Sequence, residues 1–280
     1  MSDLTTQSAT GYLEVEGGKL YYEVAGEGHP LLLIHAGVAH NAMWDGQWEE
    51  FARRYRVIRY DTRGFGKTTL ESEEVSFSNR QDIHDLLTHL GVDKAYVVGV
   101  SRGGQIATDF TLEHPEMVDG LVLVAAGLGG YNEGELTEEE QSLSGEMEKL
   151  WEAKDWDRLS EMEMNYWLNG PTQPKDRVPA KLRDKVRGMI HYNYSNQPYE
   201  GKPRTLTPPA IGRLGEIKVP TLVIVGTLDE SAVMRIADVQ AQGIPGAKKV
   251  VMQGTAHLPN MERPEEFNRI VLDFLDGIGA

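Results

Sequence analysis

The sequence predicts an α/β protein built on a mostly parallel sheet with helices on both faces. Three observations carry this. Short apolar runs recur along the chain, most of them are separated by helical patterns, and several of them, such as Pro30–Ile34, are continuously apolar. A strand buried on both faces reads that way, and strands alternating with helices imply a parallel sheet.

The strand candidates come first. GYLEV (11–15) and KLYYEVA (19–25) flank Glu16-Gly17-Gly18 and read as a hairpin, which adds antiparallel strands at one edge. PLLLIH (30–35), YRVIRYD (55–61), KAYVVGV (94–100), GLVLVAA (120–126), PTLVIVGT (220–227) and KKVVMQG (248–254) follow, giving eight strands. Between them, Trp44, Trp48, Phe51, Ala52 and Tyr55 share one helical face, as do Ile83, Leu86, Leu87 and Leu90. Ser78 and Gln81 have capping-box spacing before the second of these. Residues 101–114 read as a helix that stops before Pro115. Phe267, Ile270, Val271 and Phe274 mark a final helix with Pro264 in its first turn.

Residues 127–215 break the rhythm, with no convincing strand. Positions 131–170 hold 12 acids against the three bases Lys149, Lys154 and Arg158, so nine of the 15 excess negative charges fall here. Trp151, Trp156, Met162, Met164, Tyr166 and Trp167 are interleaved with them. The pattern predicts a helical insertion with an acidic solvent face, whose Met and aromatic residues either pack or line a pocket.

Composition narrows the function. The chain has 280 residues, long enough to bury a large core, and no cysteine, which excludes disulfides, thiolate metal sites and a cysteine nucleophile. A net charge of −15 disfavours nucleic acid and anionic membrane as partners. The opening MSDLTTQSAT lacks the basic and apolar regions of a signal peptide, and every apolar run is strand-sized, so a cytoplasmic protein is expected.

The chemistry centres on Gly99-Val100-Ser101-Arg102-Gly103, followed by Gly104. The G-x-S-x-G pattern stands at the end of a strand and the start of a helix, where it makes a nucleophile elbow and presents Ser101. A serine hydroxyl needs a base. Of the eight histidines, His257 lies just after the last strand and before the last helix, and it is the candidate; His191, in the insertion, is the runner-up. The base needs a carboxylate to fix its tautomer. Asp229 follows the strand PTLVIVGT, 28 residues before His257, and the adjacent Glu230 is the alternative. The segment DTRGFGKT (61–68) approaches a phosphate-binding loop, but Asp61 replaces its first glycine and would repel phosphate.

With Ser101, Asp229 and His257 in that order, the chain resembles the α/β-hydrolase superfamily over nearly its whole length. His35-Ala36-Gly37 resembles that family's His-Gly-X segment, with Ala36 in place of the usual glycine. Asp61-Thr62-Arg63-Gly64-Phe65-Gly66 resembles its Asp-x-Arg-Gly-x-Gly turn. Some members carry the acid after the sixth strand, but here AAGLGGY offers none. Within the superfamily the chain is most similar to small carboxylesterases and 3-oxoadipate enol-lactonase-like hydrolases.

The resemblance implies a core domain of residues 1–129 and 211–280 and a helical cap of 130–210 after the sixth strand. It implies an oxyanion hole from the N–H groups of Arg102, next after the nucleophile, and Gly37, with His35 bracing the loop rather than carrying a proton. Cleavage of small to medium carboxylic esters or lactones by water is expected, without metal or organic cofactor. Anionic substrates are expected to meet repulsion from the acidic insertion. A same-fold C–C hydrolase, hydroxynitrile lyase, perhydrolase or slow-turnover ligand receptor would carry the same triad.

Overall fold

The computed structural model describes residues 8–132, 136–197 and 199–279. Most of the N-terminal segment read for a leader, and Glu133 and Glu135 of the acidic stretch, lie outside these residues.

The eight expected strands form: β1 (Ser8–Val15), β2 (Gly18–Ala25), β3 (Pro30–Ile34), β4 (Arg56–Tyr60), β5 (Ala95–Val100), β6 (Val118–Val124), β7 (Thr221–Gly226) and β8 (Lys248–Met252). Their order is β1-β2-β4-β3-β5-β6-β7-β8, and a ninth, two-residue piece (Thr69–Leu70) pairs with β2. β1 and β2 pair antiparallel across the Glu16-Gly17 turn, β2 also runs antiparallel to β4, and every later pair is parallel.

The strand period of two divides the apolar runs between two cores. Leu31 and Leu33 of β3, Val98 of β5 and Ile224 of β7 face one core, whereas Leu32, Ile34, Val97 and Val223 face the other. On the first face lie α1 (Asp45–Ala52) and α9 (Pro264–Ile278), which contribute Phe51, Phe267 and Val271. On the second lie α2 (Asn79–His89), α3 (Arg102–Glu113) and α7 (Ser231–Gly243), with Leu86, Phe110 and Ala237. Truncating a buried ring such as Phe110 to Ala costs about 3–5 kcal/mol in such an interior. Because the crossovers are parallel, the carboxyl ends of β3 to β8 open on one edge, where ligands bind in open α/β sheets.

The insertion is helical, as expected. It contains α4 (Glu138–Glu152), α5 (Trp156–Met164), a π turn over Asn165–Asn169 and α6 (Ala180–Asn196). Thr137 and Glu140 close a full capping box on α4. Met164, Leu168, Val186, Met189 and Ile190 join the first core, so part of the Met and aromatic content packs.

Two local readings need correction. Residues 127–215 do contain a strand, Lys202–Pro203, which pairs with Ser76–Phe77. Two residues show no periodicity, so the pattern could not reveal it. The Ser78–Gln81 box is half made. Ser78 Oγ accepts the Gln81 N–H at 3.4 Å, but the Gln81 side chain turns to Asp85 at 2.7 Å instead of back to the cap. A helical face one turn on, i to i+4, competes for the same amide. The final α9 matches its predicted face; of the first face only Trp48, Phe51 and Ala52 lie on α1, with Trp44 in the 3-10 turn before it and Tyr55 beyond it, and a single turn, α8 (Pro259–Glu262), precedes α9.

Candidate active site

β5 delivers Ser101 to the carboxyl edge of the sheet through a turn that strains the serine backbone. Ser101 has φ 56° and ψ −120°, outside the regions open to most L-residues, at a cost of about 1–3 kcal/mol. Such strain persists only where the surroundings over-determine it. Here the Ser101 N–H donates to Val124 O at 2.8 Å, and its carbonyl accepts from Gly104, Gln105 and Gly127 at 2.9, 3.1 and 3.0 Å. A Cβ on Gly99 would lie 2.2 Å from Gly103 O, and one on Gly103 would lie 2.4 Å from Ile34 O. The small residues of the motif are therefore required by close backbone approach.

The loops after β7 and β8 carry Asp229 and His257. His257 Nδ1 lies 2.9 and 3.0 Å from the two Asp229 oxygens, and both side chains are almost wholly buried. A carboxylate can only accept, so the ring proton sits on Nδ1 and the opposite nitrogen is left basic. Asp229 Oδ1 also accepts the Glu230 N–H at 2.8 Å. The alternative acid points elsewhere: Glu230 Oε1 accepts the Tyr166 hydroxyl at 2.7 Å. The runner-up base, His191, is exposed on α6 and faces Asp157 at 3.3 Å.

The expected oxyanion pair is also brought together. A Cβ on Gly37 would meet only the Arg102 side chain, at 3.6–3.7 Å. Arg102 opens α3, whose first-turn N–H groups lack intrahelical acceptors. His35 braces the loop. It is fully buried, its Nδ1–H donates to Ala36 O at 2.8 Å, and its Nε2 accepts the Thr62 N–H at 3.0 Å. Burial pushes its pKa down to about 3, so it stays neutral. Asp61 accepts the backbone N–H groups of Asn41 and Lys67 at 2.7 and 2.8 Å, so the phosphate-loop look-alike is bound to itself.

A family model described as alpha/beta hydrolase fold matches residues 29–264. The chain belongs to that family. A 2-hydroxy-6-oxononadienedioate/2-hydroxy-6-oxononatrienedioate hydrolase of Paraburkholderia phymatum is 30% identical, with 96% of this chain and 97% of that one covered. Among solved structures, an N-acyl homoserine lactone degrading enzyme is 25% identical with TM-score 0.73, covering 94% of this chain and 100% of that one. The enol-lactonase from Burkholderia xenovorans is 24% identical with TM-score 0.75, covering 95% and 100%. The chain is thus a hydrolase of this fold.

Several residues of this hydrolase site escaped the sequence reading. The π turn places the Trp167 ring against His257, with centroids 4.5 Å apart, and the His257 N–H donates to Trp167 O at 3.1 Å. Arg177, from the segment before α6, pairs with the buried Glu262 at 2.6 Å and donates to the carbonyls of Leu168, Asn169 and Gly254 at 2.6–2.9 Å. It therefore ties the π turn to the loop that carries His257. A cavity of about 680 Å³ is lined by Gly37 and Arg102, and Phe65, Phe77, Trp151, Trp156 and Tyr194 supply its aromatic walls. No helix among the described residues is long and apolar enough to cross a membrane.

Proposed function

We propose that the chain is a serine hydrolase that cleaves small to medium carboxylic esters or lactones. The observation that carries this is the His257–Asp229 pair standing on the same sheet edge as the strained Ser101 elbow. Ser101 Oγ attacks the substrate carbonyl while the free ring nitrogen of His257 takes its proton. Asp229 holds the Nδ1 proton and stabilises the imidazolium. The N–H groups of Gly37 and Arg102 receive the oxyanion. His257 then protonates the leaving alcohol, and a water activated by the same nitrogen releases the acid from Ser101. Residues about 130–210 act as the cap, and their aromatic wall bounds the acyl group.

A second reading is favoured by the Paraburkholderia relative, whose name is that of a C–C hydrolase. The same residues would then direct water at a ketone, with a carbon leaving group. A hydrolysis screen across esters, lactones and 1,5-diketones, with Ser101→Ala as control, tests both. Ester or lactone turnover that Ser101→Ala abolishes supports the first reading. Turnover of diketones alone selects the second.

A further inference from the structure

We propose that the Arg102 side chain is a carboxylate-binding specificity determinant, so that the preferred substrate carries a carboxylate a few bonds from its reacting carbonyl. This deepens the reading above and rests on it for the position of the site.

Three arginines are buried among the described residues, and each meets an acid: Arg59 pairs with Glu23 and Asp45, Arg63 with Asp82 and Arg80 with Glu113. The half-buried Arg177 pairs with Glu262. Arg102 is also half-buried, lines a cavity and meets no acid. Among the described residues its guanidinium has one hydrogen-bond partner, the neutral Thr62 Oγ1 at 2.7 Å, and no ion-pair partner. Its Cζ sits 4.7 Å over the Phe65 ring, which orients the guanidinium plane. Burial pushes its pKa down to about 10, so it remains a cation in a poorly solvated place. A partly desolvated cation without a counter-charge is costly, and a ligand carboxylate would offset that cost.

Arg102 also lines the cavity of about 680 Å³, together with Gly37. Its backbone N–H serves the oxyanion hole, so its guanidinium and the reacting carbonyl are at opposite ends of one side chain. The unused N–H groups form a fork suited to a carboxylate. Glu73 and Glu200 also line this cavity, and the Glu200 N–H donates to Glu73 Oε2 at 3.1 Å.

This runs against the expectation that the acidic insertion repels anions. Its acids Glu138, Glu139, Glu146, Glu148 and Glu152 are exposed. Salt screens exposed charges over about 8 Å at physiological ionic strength, whereas a partly buried cation in direct contact is screened far less. The local contact therefore outweighs the distant field.

The test compares wild type, Arg102→Met and Arg102→Lys. Two readouts are used: calorimetric binding of glutarate against its diamide, and kcat/KM for monophenyl glutarate against its neutral terminal amide. The expected result is a preference of wild type for the anion of about 10- to 100-fold in both, the range for one charge-assisted hydrogen bond. Arg102→Met should lose it, mostly through KM, and Arg102→Lys should keep part. The unliganded Arg102→Met protein should have a Tm at or above wild type, since an unpaired charge has been removed. No anion preference in wild type, or an undiminished one in Arg102→Met, overturns the proposal. So does a marked fall in Tm, which would assign Arg102 to holding the Thr62 loop. If neither ester is cleaved but glutarate binding depends on Arg102, the ester reading fails while this inference stands.

Discussion

His257 Nδ1 lies 2.9 and 3.0 Å from the two carboxylate oxygens of Asp229, while the next residue, Glu230, is hydrogen-bonded to Tyr166. Two adjacent acids thus have different partners. Asp229→Asn should lower kcat by about 10⁴-fold, because an amide can stabilise the wrong imidazole tautomer. Glu230→Gln should cost less than about tenfold, since a glutamine can still accept from Tyr166. Equal losses in steady-state turnover would leave the acid unassigned, and a larger loss at Glu230 would reverse it.

Arg177→Ala should destabilise the protein by about 3–5 kcal/mol, because it strands the buried Glu262 carboxylate and frees three carbonyls that the guanidinium holds. Denaturant titration checks this. Adding Glu262→Gln to Arg177→Ala removes the stranded charge, keeps an acceptor for the Ala256 N–H and should recover part of the loss. Failure of the double variant to recover any would place the effect outside the ion pair.

Glu163 gives a pH signature. Burial lifts its carboxyl to about 7 from the usual 4.5, even though the Tyr194 hydroxyl donates to it at 2.6 Å. The folded state therefore holds this proton over a window in which the unfolded chain has lost it. Its contribution is at its fullest below about pH 4.5 and is lost as pH rises to about 7. Glu163→Gln removes that dependence, so the variant's Tm relative to wild type should be higher at pH 8 than at pH 5. The opposite sign in thermal melts would contradict the assignment.

The cavity walls set substrate size. Trp151, Trp156 and Tyr194 pack with centroids 5.1–5.4 Å apart and line the cavity. Efficiency on 4-nitrophenyl esters should peak at acyl chains of about two to six carbons, and Trp156→Ala should move the peak to longer chains. A wild-type peak at long chains would show that this wall does not bound the acyl group.

The elements that were readable in advance are those with a local cause. The β3, β5, β6 and β7 runs are apolar because both faces of the sheet are covered, and the Ser101 elbow is spelled by glycines that the backbone approach demands. Asp229 stood out because it follows the β7 run, and His257 because it lies between the last strand and the last helix. The rest depends on contacts distant in sequence. Arg177 meets Glu262, and Trp167 meets His257, through a π turn that a helical period cannot distinguish from an ordinary helix. Arg102 was read only through its backbone N–H. That its guanidinium lacks an acid emerges only when every neighbouring loop is in place.

The central claim is that Ser101 is the nucleophile, and Ser101→Ala tests it most directly. Turnover of a 4-nitrophenyl ester should fall by about 10⁴- to 10⁶-fold, with the far-ultraviolet circular dichroism and Tm of a folded protein retained. A folded Ser101→Ala protein with near-wild-type turnover would contradict the account.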